Sequence, residues 1–222
     1  MDLCFVTSGT VNQVWQEKLT ELNGLQLIVF GFNGLGLVSY KKELAGDTEY
    51  FSDLAKFSKQ TSSVVICGCD TDTYGVFRHS AVIADKGKIL GVSDMAHALD
   101  DSEFVSGGAF RVYETSIGKI GVIVGEDLFI SDTAKIMALC DADIIVCVMK
   151  KIEDCMPEIM LRASSFANGL PMMLVASNYG VLSGEDGKVK IAGSQEIIKY
   201  KLKIEKEYRL ISVRRRGITI KR

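Results

Sequence analysis

The chain has 222 residues, of which 47% are hydrophobic and 24% charged, with a formal net charge of −2. That composition suits one compact domain with a sizeable core, and no apolar run reaches the roughly 18 residues of a membrane-crossing helix. The opening MDLCFVTSGTV has neither a basic start nor a long apolar stretch, which argues against a signal peptide, and the 6 cysteines lie mostly in or beside apolar runs, as unpaired thiols of a reducing cytosol do.

Residues 2–7 predict a first strand. Val11, Val14, Trp15, Leu19 and Leu22 recur at helical spacing, and Asn23-Gly24 closes that helix. A second strand is predicted over 25–30. The glycine-rich 31–36 has no phosphate-loop spacing and no Lys-Ser/Thr after it, so it is expected to be a plain turn. Tyr50, Phe51, Leu54, Ala55 and Phe57 mark another helix, followed by a strand over 63–69 with Cys67 and Cys69 on one face. No second cysteine pair or histidine cluster accompanies them, so no metal site and no cofactor are expected. Asp70 and Asp72 are assigned to a loop without further ligands. Residues 77–92 predict a hairpin turning at 85–88, with His79 in a structural role; His97 follows in a loop, and a strand is predicted over 109–113.

The chain is organised around 118–139. Ile120, Val122, Ile123 and Val124 form a short β-branched run, Gly125-Glu126-Asp127 breaks it, and Ser131 or Asp132 can cap the helix that follows. A strand, a sharp turn and a helix are where α/β enzymes often set a nucleophile, aimed at the helix's unpaired N–H groups. Here the turn carries Gly125, which has no side chain. Further strands are predicted over 142–149 and 172–176, a helix over 158–168, and last pairings over 190–198 and 203–213. Helices alternating with strands, with a hairpin between, argue for an α/β sandwich with two sheets inside and helices outside.

Charge is unevenly spread. Residues 199–222 hold ten Lys/Arg and two Glu, a local balance of +8. Apolar residues alternate with the lysines there, so a strand with one solvated face explains the pattern more simply than nucleic-acid binding does.

Several blocks taken together resemble the nitrilase superfamily, the carbon–nitrogen hydrolases. They are Leu27-Ile28-Val29-Phe30, the 85–91 hairpin, 118–122 with Asp127, Ala142-Asp143-Ile144-Ile145, Arg162-Ala163, Asn168, Asn178 and Gly180, in the family's order. The resemblance implies a four-layer α-β-β-α sandwich over a single domain, 1–222. It also implies three catalytic side chains: a glutamate base, a lysine for the anionic intermediate and a cysteine nucleophile. Aligning the blocks puts Phe32, Met95 and Gly125 at those positions, and none can perform the corresponding step. The resemblance therefore implies the family's fold without its chemistry. The expected protein is cytoplasmic, a homodimer as the family commonly is, and serves as a binding, regulatory or structural protein with a small-molecule ligand or a protein partner. A displaced site is the alternative: Cys147 as nucleophile, with Lys150 or Lys151 and Glu126 beside it. Its competitor makes Cys147 a core residue, the lysines solvated and Glu126 a turn cap. Asp127 is expected to hold the elbow through backbone hydrogen bonds.

Overall fold

The computed structural model describes residues 1–98 and 103–204. Six strands come first: β1 (Asp2–Val6), β2 (Leu27–Phe30), β3 (Gly36–Ser39), β4 (Val64–Thr73), β5 (Val76–Asp85) and β6 (Lys88–Asp94). Six more form a second sheet: β7 (Arg111–Thr115), β8 (Gly118–Val124), β9 (Ile144–Val148), β10 (Met172–Val175), β11 (Gly180–Ser183) and β12 (Val189–Gly193). β13 (Ile197–Lys201) returns to the first sheet, whose order is β13-β1-β2-β4-β5-β6 with β3 on β4. The second sheet runs β12-β11-β10-β9-β8-β7. The helices are α1 (Val11–Leu22), α2 (Tyr40–Ala45), α3 (Tyr50–Thr61), α4 (Ser131–Leu139) and α5 (Met156–Asn168).

Three buried clusters define four layers. Alternate strand residues point to opposite faces, so each sheet contributes to two cores. Leu3, Phe5, Ile66, Ile120, Val122, Val146 and Val175 meet between the sheets. Val14, Ile28, Leu54, Phe57, Val65 and Cys67 join the first sheet to its outer helices, and Ile123, Met137, Ile145, Cys147 and Leu161 do so for the second. Fully buried Phe5, Phe30 and Phe57 each contribute about 1.5–3 kcal/mol of transfer free energy. α1 starts at a capping box: the Thr10 hydroxyl accepts from the Gln13 N–H, and the Gln13 side chain accepts from the Thr10 N–H. α3 and α5 stop at left-handed caps on Ser62 and Gly169.

The α-β-β-α sandwich expected from the sequence is the observed architecture. Four local expectations change. The strand predicted over 109–113 is β7 at Arg111–Thr115, and α4 is entered from Ile130 with no side-chain cap from Ser131 or Asp132. The turn at 31–36 leads straight into β3 and α2, short elements without a periodic signal. Asp70 and Asp72 stand on β4, not in a loop. Of the pairing predicted over 203–213 and the basic region 199–222, residues 205–222 lie outside the described residues. No helix of the described residues is long and apolar enough to cross a membrane.

Candidate functional site

The floor of the candidate site is built by three loops that leave the strand ends. β8 ends at Val124, and Gly125 takes φ +57°, the left-handed region that suits glycine, before a 3₁₀ turn over Gly125–Phe129 leads to α4. The elbow expected from the sequence is thus formed. Met95 follows β6; its N–H donates to the His79 carbonyl at 2.8 Å, and its own carbonyl accepts the Gly107 N–H at 2.7 Å. That places the Met95 sulfur 2.8 Å from where a Cβ on Gly125 would stand. Phe32 follows β2, and its ring covers Gly68, where any Cβ would meet it at 2.8 Å. Phe32 and Met95 are 5% and 4% exposed and belong to the core between the sheets. Two of the three positions singled out in the sequence are therefore in contact, Met95 with Gly125, and Phe32 shares the core cluster of Met95.

Asp127 ties the floor together. Its buried carboxylate accepts the N–H groups of Ala96 at 2.6 Å and His97 at 3.0 Å. The His97 ring adds Nδ1–H at 2.8 Å, a tautomer assigned from the acceptor-only carboxylate. The bonds expected to hold the elbow reach instead to the Met95 loop, and so fix that loop over Gly125. A buried carboxylate needs such donors, since unpaired it would be costly.

The mouth is charged. Asp70 on β4 accepts from His79 on β5 at 2.6 Å through Nδ1 and from Lys150, just past β9, at 3.0 Å. This pairing joins the two sheets. Burial alone would raise the Asp70 carboxyl, but hydrogen bonds and charge from His79 and Lys150 outweigh it and hold it below the usual carboxylate range. Above the pair sits Phe104, stacked on the His79 ring at 3.7 Å with the Lys150 ammonium 4.7 Å from its centroid. Phe32 meets the other side of His79 edge-on at 5.8 Å.

Sequence reasoning passed over this cluster by assigning Asp70 to a loop and Lys150 to solvent. The signal was Tyr74-Gly75. Both residues have positive φ, as a two-residue hairpin turn requires, and that turn fixes the register that sets Asp70 opposite His79. The displaced site does not assemble. Cys147 is fully buried in the outer core, on the face of β9 opposite Val146 and Val148, and burial pushes its thiol far up. Lys150 faces Asp70, Lys151 pairs with Glu153, and Glu126 is exposed in the 3₁₀ turn. No group of three or more His, Cys, Asp or Glu suited to a metal ion occurs among the described residues.

The family model for carbon–nitrogen hydrolases matches residues 12–206. This chain belongs to the carbon–nitrogen hydrolase family. "Probable nitrilase C965.09" of Schizosaccharomyces pombe is 27% identical over 182 residues, 78% of this chain; the chain spans only 65% of that relative's length. Among solved structures, the carbon–nitrogen hydrolase of Helicobacter pylori G27 superposes with a TM-score of 0.73 at 20% identity, covering 90% of this chain and 88% of the other. Nit3 of Saccharomyces cerevisiae, a member of branch 10 of the nitrilase superfamily, gives 0.74 at 14%, covering 90% and 89%. An amidase of Nesterenkonia AN1 gives 0.75 at 15%, covering 91% and 92%. At these identities the likeness to solved carbon–nitrogen hydrolases concerns the fold.

Proposed function

We propose that this member of the carbon–nitrogen hydrolase family does not carry out the family's C–N bond hydrolysis and acts instead as a binding, regulatory or structural protein, as one domain over 1–222. The observation that carries this reading is the Met95 sulfur lying 2.8 Å from where the Cβ of a side chain on Gly125 would stand, too close for one to fit unless Met95 moves. Addition to an amide or nitrile carbon needs a nucleophile at the elbow, a base to take its proton and a cation for the developing anion. Glycine supplies no nucleophile, phenylalanine no base and methionine no cation. In the Nesterenkonia amidase, acrylamide has added at the active site cysteine; the corresponding elbow position here has no sulfur to react. Filling the floor with Phe32 and Met95 also suits the domain, because an unpaired charge in that core would be costly.

The buried Cys147 gives a displaced nucleophile no support: its thiol is held protonated and closed off from any substrate. The protein is further proposed to be cytoplasmic and a homodimer. Support for the dimer comes from exposed apolar side chains on the two outer helices, Ile136 and Leu139 of α4 with Met156, Ile159 and Phe166 of α5. Its mass in solution checks that part. Nucleic-acid binding through 199–222 remains a separate reading, and a lack of salt-dependent binding removes it.

The test is ammonia release by the purified protein from a panel of amides, ureas, carbamoyl compounds and nitriles, with Cys147→Ser run in parallel. No release from any of them is expected. Release by the parent that is lost in Cys147→Ser would establish the displaced site. Release by both proteins would overturn the loss of hydrolysis without it.

A further inference from the structure

The second sheet carries a pocket on its outer side. Alternation along the edge strand β7 turns Tyr113 into the core between the sheets and leaves Val112 and Glu114 on the other face. Opposite them on β8 stand Gly121 and Lys119. Gly121 brings no side chain, and Met137 of α4 rests on it, its sulfur 2.7 Å from where a Cβ would stand. What remains open is a pocket of about 190 Å³ among Phe110, Val112, Ile136, Met137 and Cys140. Glu114 and Lys119 line it too, and they also line a more open hollow of about 480 Å³ that reaches Asp141 and Asp143. An apolar pocket thus adjoins a hollow lined by three carboxylates and one ammonium.

We propose that this pocket binds a small arylalkyl amine, with its ring among Phe110, Val112, Ile136 and Met137 and its ammonium on Glu114. The size suits one ring, since an apolar cavity of about 150 Å³ holds benzene. The charge preference follows from the shared wall. Glu114 pairs with Lys119 only at 3.7 Å, and its side chain is 85% exposed. An exposed pair of that kind contributes little, so Glu114 is able to turn to a ligand's ammonium. Asp141 and Asp143 add to the attraction across the second hollow. An anion would gain Lys119 alone and face all three carboxylates. The pocket lies outside the core that holds Phe32 and Met95, so it stands or falls apart from the loss of C–N hydrolysis.

Cys140 supplies the readout. It lines the pocket and is exposed; Cys155 is exposed as well but lines neither hollow, and the other four cysteines are buried. The probe is phenethylamine, which has no amide or nitrile, with 2-phenylethanol and 3-phenylpropionate as the neutral and anionic comparisons. Labelling by a thiol-specific methanethiosulfonate is followed at each cysteine by mass spectrometry. Low protein concentration keeps pairing of copies through α4 from covering Cys140. Phenethylamine is expected to slow labelling of Cys140 saturably, in the millimolar range usual for so small a ligand, and to leave Cys155 unchanged. It should bind about fivefold more tightly than the alcohol, the scale of an exposed ion pair, and 3-phenylpropionate should bind least. Glu114→Gln should narrow the gap between amine and alcohol. Ile136→Ala should weaken both about threefold through lost apolar contact. Both are surface substitutions, and cooperative thermal unfolding shows that each variant is folded. The proposal is overturned by any of four results: no saturable protection of Cys140, equal slowing at Cys155, protection by 3-phenylpropionate as strong as by the amine, or an amine–alcohol gap that survives Glu114→Gln.

Discussion

The floor and the mouth of the candidate site are built with opposite chemistry. At the floor, Met95 packs over Gly125 and Phe32 belongs to the same core as Met95, with no charge among the three, and the buried carboxylate of Asp127 is committed to backbone N–H groups and His97. At the mouth, Asp70, His79 and Lys150 form a compensated charged bridge between the sheets. The floor lies in a sealed core, where charge is destabilising unless fully paired. The mouth touches solvent, with the Lys150 side chain 50% exposed, so charge is tolerated there and each pair is worth little. Depth, more than residue type, decides what each substitution should cost.

The comparison breaks most visibly at Phe32. Phe32→Glu places a carboxylate against Gly68 and the His79 ring within the core between the sheets. A loss of about 3–5 kcal/mol is expected from an uncompensated buried charge and a lost aromatic. Urea unfolding of the parent and the variant measures it. A loss below about 1 kcal/mol, the scale of an ordinary surface substitution, would mean that the floor admits water and is no packed core.

Much of this contrast was legible beforehand, and the reasons differ by residue. The β-branched run Ile120–Val124 and the glycine after it announced a strand and an elbow, because burial and backbone sterics act locally. Phe32, Met95 and Gly125 were found through order and spacing against a familiar pattern, which periodicity alone would not have given. The Asp70–His79–Lys150 bridge was missed because it depends on register and on the meeting of two sheets. Asp70 faces His79 only through the turn at Tyr74-Gly75, and Lys150 arrives from a strand far along the chain. Phe104 was equally silent: nothing local in its loop announces a ring stacked on an imidazole with an ammonium nearby. Cys147 misled in the other direction. Its strand end was visible, but which face it took was settled by the alternation that turns Val146 and Val148 inward.

A smaller effect sharpens the floor. Gly125→Ala combines a φ of +57° with a Cβ 2.8 Å from the Met95 sulfur. A loss of about 1–2 kcal/mol is expected, part from the left-handed backbone and part from that contact. The two parts separate in a double-mutant cycle. In a Met95→Ala background the contact is gone and only the backbone part remains, so a coupling of about 0.5–1 kcal/mol should appear. Strict additivity would mean that the flexible thioether moves aside without cost. The packing of Met95 against Gly125 would then cease to explain why the elbow is closed.

The mouth should show the least effect and the clearest pH dependence. Asp70→Asn removes a carboxylate whose folded pKa is depressed by its hydrogen bonds to His79 and Lys150 against the opposing effect of burial. A depressed carboxyl stabilises the fold above its unfolded pKa, and that contribution is lost as the pH falls through the folded value. The parent should therefore exceed Asp70→Asn by about 1 kcal/mol at neutral pH, a figure kept small by the half-exposed lysine. The gap should hold down to the ordinary carboxylate value of about 4 and close below it. Added salt should narrow it as well, because the pair lies close to solvent. A gap that persists at low pH would mean that Asp70 acts through shape and neutral hydrogen bonds. The mouth would then resemble the floor, and the contrast between buried apolar packing and exposed charge would not be what organises the site.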